Sequence, residues 1–300
     1  MKLLITGKGG QVGSELEKIL KNNSFDVNLL SRDNLDICDE KNLFDVINKL
    51  KPKIIINLAA FTDVKGAEKK VDESYDVNSN GVLNIVNVCK QNSILLIHIS
   101  TDYVFDGKKE GSYTEDDVTN PINIYGKSKL QGEQNIINNL ETFIIIRTSW
   151  IFSSFGNNFL KNIIKSIKNN KKLVVVGDQI GGPTVAKNLA NIIILFCKKY
   201  KIENKLDYGI YHYSNLPNVS WYDFAKAITD KLKINNYLKF EEKFLLEKSK
   251  TIDGNVVRRP LNSKLSNIKI KKYLGIEDNY WTLSLDECLN DLYKKKFYDE

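Results

Sequence analysis

The sequence predicts an α/β protein built on a doubly wound parallel sheet. Three observations carry that prediction: an apolar run that breaks into a glycine-rich turn and a periodic helix, later apolar strands without alternation, and helical stretches between them. Strands that are apolar at every position are buried on both faces, as in a parallel sheet covered by helices. With 300 residues, 42% of them hydrophobic, the chain can bury a sizeable core and fits two domains or one large α/β unit.

Taken in order, Lys2 to Thr6 is a short apolar strand. It runs into Gly7-Lys8-Gly9-Gly10-Gln11-Val12-Gly13 and then into a stretch, Ser14 to Leu20, with helical periodicity. The spacing of Gly7, Gly10 and Gly13 suits a Rossmann-type dinucleotide turn. The first glycine lets the chain turn, the second lets backbone approach a pyrophosphate, and the third lets helix pack on strand. The helix N-terminus then offers amides to the phosphates. A tight turn without a ligand would use the same glycines. A second strand, Phe25 to Leu30, ends in Ser31-Arg32-Asp33, where such a site reads the adenosine ribose. A basic residue there accommodates the 2′-phosphate of NADP and an acidic one selects NAD, so Arg32 leans towards NADPH while Asp33 keeps NADH open. A helix over Glu40 to Leu50 follows, then an apolar strand from Lys53 to Ala60. Ala59, Ala60 and Thr62 at its end are small enough for a cofactor to lie close. The next helical stretch carries Val77 and Asn78, and Ile94 to Ser100 forms a fourth strand.

The candidate chemistry lies beyond that fourth strand. Ser100-Thr101-Asp102-Tyr103-Val104-Phe105-Asp106-Gly107 sits at its C-terminal end, where open α/β sheets place ligands. Tyr125-Gly126-Lys127-Ser128-Lys129 then opens a helix expected over Ile124 to Leu140, which puts Tyr125 and Lys129 on one face, a turn apart. A free phenol titrates near ~10, and a nearby ammonium lowers that value, making a usable general acid. The same spacing arises by chance in amphipathic helices. It is Thr101 that singles this pair out, because two hydroxyls could converge on one carbonyl oxygen. Asp102 also reads as an ordinary turn cap.

Composition excludes several classes. Cys38, Cys89, Cys197 and Cys288 are widely separated, without a CxxC pair or histidine cluster that would suggest zinc, and read as reduced thiols of a cytoplasmic protein. The N-terminus lacks a signal-peptide pattern and no apolar run approaches membrane-spanning length. Net charge is +7, but the lysines are scattered and form no basic stripe interleaved with aromatics, so neither nucleic acid nor membrane is expected as a partner. His98 and His212 lie in apolar surroundings and receive no proton-transfer role. Trp221 and Trp281 precede helical runs and read as core.

Together these residues resemble the extended short-chain dehydrogenases/reductases. Within that superfamily the glycine turn, the Thr-Asp-Tyr-Val-Phe-Asp-Gly segment, the Tyr-x-x-x-Lys pair and Arg147-Thr148-Ser149-Trp150-Ile151-Phe152 are similar to the dTDP-4-dehydrorhamnose reductase family. Asp178-Gln179-Ile180-Gly181-Gly182-Pro183-Thr184, Gly209-Ile210-Tyr211-His212 and Arg258-Arg259-Pro260-Leu261-Asn262-Ser263 follow in the family's order. Related sugar-nucleotide dehydratases carry Glu where Tyr103 stands, which argues against dehydration.

The resemblance implies NAD(P)H-dependent reduction of the C4 ketone of a dTDP-sugar, with Thr101, Asp102, Tyr125 and Lys129 catalytic. It implies a cofactor site of Gly7, Gly10, Gln11, Val12, Gly13, Arg32, Asp36, Ile37, Ala59, Ala60, Thr62, Asn78, Ser100, Tyr125 and Lys129. Substrate would meet Thr101, Tyr103, Phe105, Trp150, Asn158, Gln179 and Arg259. It also implies a dinucleotide-binding domain over 1–150, with a return segment near 185–215, and a smaller α/β substrate-binding domain from 151–184 and 216–300. An acidic cluster binds Mg2+ between subunits in part of the family. Glu15 and Asp291 fit it, but Lys187 stands where another carboxylate is expected, so no metal is assigned and either a monomer or a homodimer is expected. Val64-Lys65-Gly66-Ala67-Glu68 departs from the family's Val-Asp-x-Ala-Glu, and residues 233–250 carry no interpretable pattern. Two alternatives stay open: a reductase of another nucleotide-linked 4-keto-deoxysugar, and a non-enzymatic NADP-binding regulatory subunit.

Overall fold

The computed structural model describes residues 1–21, 23–169, 172–238, 246–250, 257–295 and 297. Its first half alternates strand and helix: β1 (Lys2–Thr6), α1 (Gln11–Leu20), β2 (Asp26–Leu30), α2 (Glu40–Leu50), β3 (Ile54–Asn57), α3 (Val64–Ala67) and α4 (Val71–Tyr75). A π-helical turn, Asp76–Asn80, joins α4 to α5 (Gly81–Asn92), which is followed by β4 (Leu95–Thr101), α6 (Ile124–Asn139) and β5 (Phe143–Thr148). The chain then passes through β6 (Ile151–Phe152), α7 (Phe159–Lys168), β7 (Leu173–Val176), β8 (Ile180–Gly181) and β9 (Thr184–Val185). It returns to the large sheet by α8 (Ala186–Glu203) and β10 (Gly209–His212), and finishes with β11 (Val219–Ser220), α9 (Trp221–Ile234), β12 (Leu246–Ser249), β13 (Asn262–Ser263), α10 (Ile268–Leu274) and α11 (Trp281–Lys294).

Six strands form one sheet in the order β2-β1-β3-β4-β5-β10, and every pairing in it is parallel. The order reverses between β1 and β3, which opens a crevice at the carboxyl ends of the strands. Side chains alternate across the sheet with the two-residue strand period. Leu3, Ile5, Ile54, Ile56, Ile97 and Ile144 pack with Val12 and Leu16 of α1 and Leu189 and Ile193 of α8. Leu4, Ile55, Leu96 and Ile145 pack on the other face with Leu43 and Ile47 of α2, Val82 and Ile85 of α5, and Ile136 of α6. Each such fully buried isoleucine or leucine contributes about 1.5–3 kcal/mol, so covering both faces is what selects this layering. A third core joins Leu160 and Ile164 of α7, Phe224 and Ile228 of α9, and Leu285 and Leu289 of α11.

Two elements near the crevice differ from expectation for local reasons. The strand expected to reach Ala60 ends at Asn57, because the Leu58 and Ala59 amides leave the ladder and bond the Thr6 hydroxyl at 3.2 Å each. The fourth strand runs one residue further, to Thr101, whose hydroxyl then accepts the Tyr103 N–H at 3.2 Å and turns the chain. Of the segment that carried no pattern, Leu246–Ser249 pairs with β7 in parallel, while 239–245 lie outside the described residues.

Candidate active site

A cleft of ≈ 680 Å³ opens at the carboxyl ends of β1, β3, β4 and β5. Its first wall is the glycine turn. Helix α1 starts at Gly10 with no side-chain cap and no acidic residue in its first turn, which leaves its leading amides for an anion. A Cβ at Gly13 would stand 2.4 Å from the Gly7 carbonyl oxygen, so any side chain there would lever the helix off the turn. Ser100 Oγ and Thr148 Oγ1 are buried without a hydrogen-bond partner among the described residues, and both residues line the cleft. Orphaned buried hydroxyls facing a phosphate-ready turn fit a dinucleotide rich in hydroxyls and phosphate oxygens.

The expected cofactor residues divide on this geometry. Gly7, Gly10, Gln11, Val12, Gly13, Ala60, Thr62, Ser100, Tyr125 and Lys129 line the cleft; Arg32, Asp36, Ile37, Ala59 and Asn78 stand outside its lining. Arg32, with a side chain 68% exposed, donates from Nε to Asp36 Oδ2 at 3.0 Å. Asp36 spends its other oxygen on the Cys38 N–H at 3.0 Å. Ile37 packs in the core against α2 and α5. Ala59 gives its N–H to Thr6 and Asn57 behind the wall. Asn78, in the π-helical turn, brackets Phe61 through both backbone groups at 2.9 and 3.0 Å and donates to Ser128 Oγ at 3.0 Å. It thereby fixes α6 against the loop after β3.

Helix α6 brings Tyr125 and Lys129 to the cleft. Asn123 caps it, accepting the Gly126 N–H at 2.8 Å, and Glu68 accepts the Ile124 N–H at 2.8 Å. Gly126 lets the helix start touch the loop after β4, since a Cβ there would lie 2.2 Å from the Tyr103 carbonyl oxygen. Further along, buried Glu133 grips Arg147 of β5 through Nη2 at 2.7 Å and Nε at 3.0 Å. None of Asn123, Glu68 or Glu133 was singled out by the sequence reading. The capping pattern before Tyr125 was the one local signal that could have exposed Asn123.

Thr101, Asp102, Tyr125 and Lys129 meet in the cleft. Burial pushes the Tyr125 hydroxyl up to about 12, with its hydrogen bond to Thr101 pulling it down and the Asp102 charge pushing it up. The expectation that Lys129 lowers the phenol fails in this geometry. Lys129 Nζ turns away to donate to the Ile99 carbonyl at 2.8 Å and lies 3.2 Å from His98 Nε2. Burial pushes the Lys129 ammonium down to about 8, partly offset by Glu133. Asp102 accepts the Thr101 hydroxyl proton at 3.1 Å. Burial raises its carboxyl to about 6, against the lowering effect of Ser263, Thr101 and Arg259.

Of the expected substrate residues, Thr101, Tyr103, Trp150, Asn158 and Arg259 line the cleft. Trp150 adopts a left-handed backbone, φ 47°, and stacks on Trp221 with ring centroids 3.6 Å apart. Trp221, read from sequence as core, thus joins the cleft wall, whereas Trp281 is buried in the third core. Phe105 lies outside the lining, stacked on Tyr113 at 4.1 Å under the Arg147 guanidinium. Gln179 is buried and also outside it. Gln11 and Asn158, expected on cofactor and substrate, bond each other at 2.9 Å, and Gln11 also reaches Ile151 O and Ser153 Oγ. They bolt the glycine turn to the 151–158 loop. Away from the cleft, Asp291 pairs with Lys18 at 3.1 Å and Lys187 with Glu287 at 2.8 Å, and among the described residues no three His, Cys, Asp or Glu side chains gather to hold a metal.

This cleft, with its glycine turn and Thr-Tyr-Lys set, stands in a chain whose residues 1–294 match the model of the RmlD substrate binding domain. A dTDP-4-dehydrorhamnose reductase of Aggregatibacter actinomycetemcomitans is 41% identical over 286 residues, 95% of this chain and 97% of the relative. The chain belongs to the dTDP-4-dehydrorhamnose reductase family. Among solved structures, a family member from Clostridium acetobutylicum superposes with TM-score 0.88 at 34% identity, covering 97% of this chain and 99% of the other. The Bacillus anthracis family member, solved in complex with NADP, superposes with TM-score 0.86 at 33% identity, covering the same shares. The family match runs through both the six-stranded sheet and the segments that build the third core. Among the described residues of this member, no helix is long and apolar enough to cross a membrane.

Proposed function

We propose that the protein reduces the C4 ketone of dTDP-4-dehydro-L-rhamnose to dTDP-L-rhamnose with NADPH or NADH, as a cytoplasmic step in making nucleotide sugar for cell-surface polysaccharide. The observation that carries this reading is the meeting of Thr101, Tyr125 and Lys129 with an uncapped glycine-turn helix in one cleft. The bound nicotinamide supplies hydride to the ketone carbon. As it does so, negative charge develops on the ketone oxygen, and Tyr125 protonates it. A phenol held near 12 stays protonated at neutral pH and gives up its proton only to a stronger base, which a nascent alkoxide is. Thr101, whose own proton goes to Asp102, orients the Tyr125 hydroxyl and polarises the same oxygen once Asp102 releases it. Lys129, whose Nζ donates to the Ile99 carbonyl in the cofactor-free protein, would turn from the same helix to the hydroxyls of the nicotinamide ribose.

The remaining roles follow the cleft wall. The α1 amides take the pyrophosphate, and Arg32, exposed at the end of β2, favours the 2′-phosphate of NADPH. Trp150 and Trp221 form a flat apolar face for the deoxysugar, and Arg259 pairs with the diphosphate. On this reading residues 1–150 with 185–215 hold the cofactor, and 151–184 with 216–300 hold the sugar nucleotide. Incubation with NADPH and dTDP-4-dehydro-L-rhamnose should oxidise one cofactor per sugar. Cofactor binding without turnover on this sugar would sink the reading.

A further inference from the structure

His98 is a buried titratable group next to Lys129 that the mechanism leaves unused. The ring lies in β4 with no exposed surface. Nδ1 meets Asn57 Nδ2 at 3.0 Å and Nε2 meets Lys129 Nζ at 3.2 Å. The Asn57 amide cannot be turned round. Its Oδ1 accepts the Thr6 hydroxyl at 2.7 Å and the Ala59 N–H at 3.2 Å. The Thr6 oxygen is itself committed as acceptor to the Leu58 and Ala59 amides, so its hydrogen points at Asn57. A backbone N–H has one direction, and it fixes the amide's oxygen on its own side. The NH2 end of Asn57 therefore faces His98, and Nδ1 must accept.

A neutral imidazole that accepts at Nδ1 carries its hydrogen on Nε2. That hydrogen is aimed at Lys129 Nζ. An ammonium has three hydrogens and no lone pair, so it would oppose donor to donor at 3.2 Å. A neutral amine resolves the contact: its lone pair accepts from His98 and one of its hydrogens goes to the Ile99 carbonyl at 2.8 Å. The charges around it agree. His98 on β4 is neutral, and Glu133 on α6 is already spent on Arg147 of β5. Tyr125 shares the helix face, with Asp102 at the end of β4 acting on it rather than on the lysine. Ser74 of α4, Asn78 of the π-helical turn and Val82 of α5, which pack against α6, carry no charge. Burial opposes charge on both groups, taking Lys129 down to about 8 and His98 well below its ordinary value.

We propose that His98, fixed as its Nε2–H tautomer by Asn57 and Thr6, favours Lys129 as a neutral amine in the cofactor-free protein, so that above the free-state titration of Lys129 dinucleotide binding, which draws this amine onto the ribose, is coupled to uptake of up to one proton. The coupling rests on the cofactor reading above; the tautomer does not. The proton comes from solvent: the amine lone pair leaves the His98 N–H, takes H+, and becomes the ammonium that donates to ribose hydroxyls. His98 is then a positioning residue. It makes cofactor affinity fall as pH rises past the free-state titration of Lys129, because more of the binding must recruit a proton.

The chain has two histidines, and the geometry gives them opposite tautomers. His212 Nδ1 faces the Tyr113 carbonyl at 3.1 Å, so its hydrogen is on Nδ1. Histidine-selective 15N NMR of the cofactor-free protein should show one Nε2–H and one Nδ1–H neutral ring, neither titrating between about pH 6 and 8, with His212→Gln removing the Nδ1–H signals. Two Nδ1–H rings, or an imidazolium at His98, would overturn the proposal. Calorimetry of NADPH binding in buffers of different ionisation enthalpy should find proton uptake rising from near none at about pH 7 towards one at about pH 9, above the range where the 2′-phosphate titrates. Asn57→Asp, which puts an acceptor opposite Nδ1 and reverses the tautomer, should abolish that uptake; if this variant does not fold, the spectrum of the unmodified protein decides. NADPH binding without uptake overturns the coupling alone, whereas no NADPH binding at all overturns the cofactor reading too.

Discussion

In the proposed reaction Tyr125 acts through its environment rather than its type. Half-buried and edge-on to Tyr103 at 5.7 Å, it is a phenol that stays protonated until an alkoxide forms beside it. Tyr125→Phe keeps the ring and removes the proton, so kcat should fall by about 10²–10⁴-fold while NADPH affinity, measured by fluorescence titration, stays nearly unchanged. Asp102 makes the complementary case. Burial raises its carboxyl to about 6, so the folded state holds the proton more tightly than the unfolded chain. Its contribution to stability is therefore greatest at low pH, declines as pH rises from about 4 through about 6, and stays reduced above. Asp102→Asn cannot ionise, and should raise unfolding free energy at about pH 8 by about 1–3 kcal/mol while gaining far less near about pH 4.5. Denaturant titrations at the two pH values check the sign.

At the scale of elements, α6 is where local sequence and long-range contacts divide the work. Its start at Ile124, and an end within one residue of that expected, were legible, because helical spacing and the break after Pro121 are local signals. The direction of Lys129 was not: it depends on His98, 31 positions away, and nothing in an apolar strand marks that ring as more than core. Phe105 was misplaced for a related reason. It shares a segment with Thr101 and Tyr103, but stacks on Tyr113 and covers Arg147 instead of facing the cleft. Asn123 holds the helix start from both sides, accepting the Gly126 N–H at 2.8 Å and donating to the Arg258 carbonyl at 2.9 Å. Asn123→Ala should cost about 1–2 kcal/mol of stability. Since the same bonds align Tyr125 with the segment carrying Arg259, kcat should fall as well, which a melt alone would not reveal.

Across the whole molecule, the doubly wound sheet was readable because a strand buried on both faces leaves a continuous apolar run, and β3 and β4 are such runs. The closing of the cleft was not readable, since its bolts join positions far apart in sequence. Gln11 bonds Asn158 across 147 positions, linking the cofactor turn to the loop that leads into α7. Trp221 joins Trp150 only because α9 packs where it does. Gln11→Ala should leave the fold intact but raise KM for both cofactor and sugar nucleotide by about 10-fold, the equivalent of roughly 1.4 kcal/mol for lost hydrogen bonds that hold two walls together. An increase for one ligand only would show that the two walls are not coupled through this residue.

The central claim is that this cleft joins a nicotinamide to a sugar ketone and supplies the proton from Tyr125. The most direct measurement uses NADPH carrying deuterium at the transferring position, with dTDP-4-dehydro-L-rhamnose as acceptor and mass and NMR analysis of the product. The account predicts dTDP-L-rhamnose with one deuterium at C4, formed by the unmodified protein and almost none by Tyr125→Phe. Cofactor oxidation without deuterium at C4, or full transfer in the Tyr125→Phe variant, would contradict it.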